Sequence, residues 1–205
     1  MKNPTYKIKN VDQMDPFLMS LTSSDNHWMF ISSNGALTAG REKADHSLFP
    51  YITDNLIHNS LNTTGPKTKI EIYKKDIKID IWSHLSYLPP KHLVEKNLYK
   101  DALGDSILFE EINKDLNMTF RYQWLTSKEF GFIKKTELIN ESSGKIDVRI
   151  IDGVQNILPS GLDVQTQQSL SNLSNAYKHS ELIKNTKLGI FSLGSLIMDR
   201  PDPGE

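Results

Sequence analysis

The chain contains no cysteine. That one absence removes disulfides, thiolate nucleophiles and cysteine-ligated metals. It fits a reducing compartment, and a cytoplasmic location is expected. No sign of charge dominates either: 24 Lys and Arg stand against 25 Asp and Glu, for a net charge of −1. The lysines are scattered among acids, so neither nucleic acid nor an anionic membrane is expected as a partner. No apolar run approaches the ~20 residues of a spanning helix. The opening MKNPTYKIKN has neither the apolar core nor the cleavage site of a signal peptide.

Short catalytic motifs are missing as well. HExxH, GxSxG and GxGxxG do not occur, nor does the phosphate loop GxxxxGK followed by Ser or Thr. Gly194-Ser195 sits in a strand-like run without the second glycine of a serine elbow. No cofactor and no metal are expected. The six histidines, His27, His46, His58, His84, His92 and His179, show no ligand spacing and read as exposed or hydrogen-bonded side chains.

What the chain does have is strand patterning. Its 205 residues suffice for one large domain with a real core. Asn34-Gly35, between HWMFIS and ALTAG, predicts a two-residue hairpin whose turn positions both take positive φ. KTKIEIY and IKIDIWSHL flank a polar turn. Ile70, Ile72, Ile77, Ile79 and Ile81 alternate with polar residues, so each strand should bury its isoleucine face. SILFEEI, NMTFRYQWLT, FGFIKKTELIN, KIDVRIID and KLGIFSLGSLIM continue the series. Strands at this spacing imply antiparallel pairing and an all-β sandwich of two sheets. Residues 85–104, with a double proline, read as a loop with a short helix. Residues 158–182 read as a long polar excursion with another, because Leu170, Leu173 and Tyr177 fall at helical spacing.

Candidate chemistry is thinner. Glu110 and Glu111 adjoin on a strand and must point to opposite faces, so they cannot act as a pair on one substrate. Asp25, Asp45 and Asp54 read as turn or cap residues. Trp28, Trp82 and Trp124 lie in strand-like sequence, where large aromatics usually build the core. Trp82 is the expected exception: its parity is opposite to Ile77, Ile79 and Ile81, which puts it on the other face, where a sugar ring could stack. The stretch SSNGALTAGREKADHSLFPY leaves its hairpin into a cluster of charged, imidazole and aromatic groups, including Arg41, Asp45, His46 and Tyr51. Arg41 can bind a carboxylate or a ligand anion in bidentate fashion.

Three stretches carry a resemblance. DNHWMFISSNGALTAGREKADHSLFPYITDNLIHNS, VRIIDGVQNILPSGLD followed by SNLSNAYKHSEL, and LGIFSLGSLIMDRPDP resemble, in order, the N-terminal domain of glycoside hydrolase family 94, the cellobiose phosphorylase-like proteins. The resemblance spans most of the chain and implies a large galactose mutarotase-like super-sandwich. It implies that residues 1–205 form one sandwich domain, the N-terminal part of a longer polypeptide. A catalytic (α/α)6 barrel would follow in that polypeptide, and it is absent here. The general acid and the phosphate-binding groups belong mainly to that barrel, so no catalytic residue carries over. The domain would then be a non-catalytic carbohydrate-binding and interface unit of a phosphorylase or hydrolase acting on β-glucosides or related glycans. Its partners would be carbohydrate and the barrel, with inorganic phosphate as co-substrate if the enzyme is a phosphorylase. The resemblance is to the wider group and leaves phosphorolysis and hydrolysis both open.

Two other readings compete. A stand-alone mutarotase-like epimerase would pair His84 or His46 with Glu110 or Glu137 on one concave face. An assembly module would dimerise with a second copy through an exposed sheet. The residues expected to touch ligand or partner are Arg41, Asp45, His46, Tyr51 and Trp82, with Asn156 and Arg200 behind them. Asn156 lies where VRIIDGVQN leaves its strand, and Arg200 stands beside Asp199.

Overall fold

The computed structural model describes residues 5–84 and 91–194. Along the chain run β1 (Thr5–Lys9), β2 (Leu18–Leu21), β3 (His27–Ser32), β4 (Leu37–Arg41), β5 (Gly65–Lys74), β6 (Ile77–His84) and β7 (Val94–Asp101). They are followed by β8 (Ser106–Asn113), β9 (Met118–Ser127), β10 (Gly131–Asn140), β11 (Asp147–Gln155), α1 (Val164–Ser169), α2 (Ser171–Tyr177), β12 (Lys178–Leu182) and β13 (Gly189–Leu193). Every strand pairing among the described residues is antiparallel. A five-stranded sheet has the order β1-β7-β8-β9-β10, and two three-stranded sheets have the orders β11-β5-β6 and β2-β3-β4. The hairpin β12-β13 stands as a pair. The fold is therefore all-β, antiparallel and sandwich-like, with its strands divided among several sheets.

Period-two alternation builds one core from three sheets. β9 turns Met118, Phe120, Tyr122 and Trp124 inward, β8 adds Ile107 and Phe109, and β5 adds Ile70 and Ile72. Met29 and Ile31 of β3 and Leu37 and Ala39 of β4 join the same cluster. Burying each large side chain contributes about 1.5–3 kcal/mol. The ring of Phe109 stacks on Tyr122 at 4.7 Å between centroids.

Strand β6 reverses the expected polarity. Ile77, Ile79 and Ile81 are 68%, 56% and 36% exposed, while Trp82 is 3% exposed. The isoleucine face looks outward, and Trp82 packs inward against Phe120 with ring centroids 6.2 Å apart. The physical reason is registry. Trp82 lies opposite Ile70, so the inward face of β5 forces the tryptophan face of β6 inward. Indole burial exceeds what isoleucine would supply at that site.

The Asn34-Gly35 hairpin is also built differently from the two-residue turn. Its loop is Ser33 to Gly35: the Ser32 amide donates to the Ala36 carbonyl at 2.7 Å, and the Gly35 amide to the Ser32 carbonyl at 2.8 Å. Gly35 has φ 94° while Asn34 does not enter positive φ. Instead Asn34 works through its side chain, accepting from the Ala36 amide at 3.0 Å and donating to the His58 carbonyl at 3.0 Å. Part of the expected loop 85–104 is strand β7, held between β1 and β8; residues 85–90 lie outside the described residues. The excursion 158–182 does contain helical turns, α1 and α2, and then β12.

Candidate functional site

The residues singled out in the sequence fall into separate surroundings. Arg41 ends β4 opposite His27, on the face of Leu37 and Ala39 by strand alternation. His46 places Nδ1 3.3 Å from Glu42 Oε2 on the exposed loop. Asp45 accepts the Val164 amide at 3.3 Å, tying that loop to the start of α1. Trp82 is a core residue and not a surface platform: it donates Nε1–H to Glu111 Oε2 at 3.2 Å inside the sandwich. Asn156 is exposed, has φ 63° and donates Nδ2–H to Thr64 Oγ1 at 3.3 Å. It helps line an open groove of about 760 Å3 between the end of β11 and the hairpin β12-β13. Arg200 lies outside the described residues.

Tyr51 gains an aromatic setting. Trp28 and Phe30 alternate with buried Met29 and Ile31 on β3, so they share the outer face of their sheet. Trp28 meets Tyr51 edge-on at 5.9 Å and lies 6.1 Å from Phe30. Phe30 and Tyr51 are exposed and Trp28 is half-buried. Gly40 stands opposite Trp28. A Cβ on Gly40 would come within 2.5 Å of Trp28 Cζ2 and 2.6 Å of the His46 carbonyl, so only glycine leaves room for the indole there. Gln167 fixes the loop from behind. Its Oε1 accepts the Tyr51 amide at 3.3 Å, and its Nε2–H donates to Ser47 Oγ at 3.1 Å.

A second assembly crosses the outer face of the five-stranded sheet. Strand register lines up Asn97, Glu110, Arg121 and Glu137 in one row over β7, β8, β9 and β10. Glu110 is only 3% exposed. Its Oε2 receives Arg121 Nε–H at 2.7 Å and lies 2.7 Å from Nη2. Its Oε1 receives Tyr99 O–H at 2.8 Å and Asn97 Nδ2–H at 3.1 Å, with Lys7 Nζ 3.6 Å away. Burial alone would raise the Glu110 pKa, but the hydrogen bonds from Tyr99, Arg121 and Asn97 outweigh it and lower it. A cleft of about 350 Å3 lies over the row, lined by Tyr99, Asp101, Glu110, Arg121, Gln123 and Glu137 among others.

Sequence reasoning named Glu110 and Glu137 only as partners for a histidine. Around Glu110 the described groups are Tyr99, Asn97, Arg121 and Lys7, and His46 pairs with Glu42 instead. The side chain of His84 lies outside the described residues. Tyr99, Asn97 and Arg121 were missed, although a signal existed. β9 alternates Thr119, Arg121 and Gln123 with four large apolar residues, and Asn97, Tyr99 and Asp101 share one parity of β7.

Among the described residues, no three His, Asp or Glu side chains gather as metal ligands would. No helix among them is long and apolar enough to cross a membrane. Comparison with protein-family models finds no match, and no curated protein matches the chain.

Proposed function

We propose that this chain is a non-catalytic carbohydrate-binding sandwich domain of a glycan-processing enzyme, touching its glycan through Trp28, Phe30 and Tyr51. The observation that carries the reading is the aromatic face: Trp28 stands about 6 Å from both Phe30 and Tyr51, which are exposed, on a paired strand and a pinned loop. Pyranose rings present apolar C–H faces that stack on such surfaces while their hydroxyls reach polar neighbours. The family resemblance points the same way, toward β-linked glucosides and a catalytic barrel in the same polypeptide.

Binding is favoured over catalysis because the most buried carboxylate of the outer sheet face, Glu110, is held charged by four donor side chains. A proton-transfer residue works best with its pKa near the operating pH, and the Glu110 pKa is moved in the other direction.

The test uses the protein's own fluorophores. Trp82 and Trp124 are each 3% exposed, whereas Trp28 is half-buried at the surface. Titration with cello-oligosaccharides should therefore change the emission of Trp28. Phe30→Ala and Tyr51→Ala should each weaken binding by up to about tenfold, with unchanged circular dichroism. Unaltered emission and unaltered amide NMR shifts across a panel of β-glucans would sink the proposal.

A further inference from the structure

We infer that the cleft over Glu110, Arg121 and Glu137 is a second binding site, for an uncharged polyol the size of a single sugar ring. Arg121 and Glu137 are its contact residues and Glu110 is a positioning residue. The inference shares a ligand class with the proposal above but neither its site nor its residues.

The geometry separates the two roles. Both oxygens of Glu110 are already taken, by Tyr99 and Asn97 on one side and by Arg121 on the other. It lines the floor of the cleft but is only 3% exposed, and with both oxygens engaged it offers a ligand no open acceptor. What it does is lock the guanidinium through two of its nitrogens. That leaves Nη1 turned toward Glu137 Oε2 at 4.0 Å. This distance exceeds a hydrogen bond, which ends near 3.2 Å. Glu137 meets Lys135 Nζ through Oε1 at 3.4 Å, so its Oε2 and Arg121 Nη1 stand side by side as a loose ion pair with no direct hydrogen bond between them. Two adjacent hydroxyls fit that pair: one accepts from Arg121 and its neighbour donates to Glu137.

Charge selects the ligand class. Asp101, Glu110 and Glu137 line the cleft against Arg121 and Lys135, and Lys7 on Glu110 supplies the third cation. Three negative groups against three positive ones favour neither an anion nor a cation. The volume, about 350 Å3, lies at the small end of ligand pockets, which span roughly 300–1,000 Å3.

The experiment uses the Phe30→Ala/Tyr51→Ala protein, so that stacking at the aromatic face cannot contribute. Saturation-transfer NMR and calorimetry are run with D-glucose, D-galactose and D-mannose, then with D-glucuronate and D-glucosamine. At least one neutral hexose should bind, and more tightly than either charged analogue. Arg121→Gln and Glu137→Gln, both at partly exposed positions, should each cost about tenfold or more in affinity. Glu110→Gln should also weaken binding, and its Arg121 side-chain NMR signals should broaden, which loss of a contact residue alone would not cause. The inference is overturned if no neutral hexose binds, if Arg121→Gln and Glu137→Gln leave binding unchanged, or if glucuronate or glucosamine binds best. Failure at this cleft leaves the fluorescence titration on Trp28 unaffected, so the two readings fail separately.

Discussion

Glu110 and Glu111 show how much one residue of offset decides. They are neighbours in sequence, both 3% exposed, and they face opposite sides of β8. Glu110 lies in the polar row. Glu111 points into the core, where Trp82 donates to it at 3.2 Å and Lys96 Nζ stands 3.4 Å away. Burial, and then the charge of Glu111, pushes the Tyr122 phenol well above its ordinary pKa. A buried carboxylate that loses a donor keeps its desolvation cost. Trp82→Phe should therefore destabilise the fold by about 2 kcal/mol, read from urea unfolding; a change within error would show that Glu111 does not depend on the indole N–H. Gly40 makes the complementary point about space. An added methyl would sit 2.5 Å from Trp28 Cζ2 and 2.8 Å from Ser47 Cα. Gly40→Ala should cost about 2 kcal/mol by overpacking and shift the emission of Trp28, since the indole is the one neighbour that can move.

Among elements, β6 and β7 were the hardest to read. β6 has a clean apolar alternation, yet its isoleucine face is the exposed one. Alternation defines two faces and cannot say which neighbour each will meet. β7 has polar residues on both faces and a double proline upstream, so its period is hidden. It is strand because β1 and β8 supply hydrogen-bond partners on both sides. The loop after β4 is likewise ordered by a distant segment. Gln167 of α1 reaches the Tyr51 amide and Ser47, and the Leu158 amide donates to the Leu48 carbonyl at 2.8 Å. Gln167→Ala should speed hydrogen exchange of the Tyr51 amide and weaken glucan binding, at a global cost of about 1 kcal/mol. Unchanged exchange at Tyr51 would mean that the loop holds its own shape.

Across the whole molecule, several carboxylates are paired in ways that bias the fold against acid. Burial would raise the Asp80 pKa, but hydrogen bonds from Lys91, His92 and the Ile81 amide bring it down to about 2. Asp152 is lowered in the same manner by Lys134, Thr68 and Thr136, acting against burial. Glu110 is lowered by the row around it. A carboxylate whose folded pKa lies below its unfolded value binds fewer protons when folded. Its stabilisation is present above the ordinary carboxylate range and is lost as pH falls through the folded pKa. The urea midpoint should thus be level near neutrality and drop from about pH 4 toward pH 2. Asp80→Asn should lower the neutral plateau and flatten part of that drop; an unchanged acid slope would remove Asp80 from the account. The sequence by itself determined the strand class, most strand positions, the opposed faces of Glu110 and Glu111 and the place of the β3-β4 hairpin. These follow from local period and turn chemistry, which a single stretch of chain carries. Only the tertiary structure decided that Trp82 is core, that Tyr51 stands with Trp28 while Arg41 lies on the opposite face, and that Arg121 belongs to Glu110. Those facts depend on strand order and register between segments far apart in the chain, which no local pattern encodes.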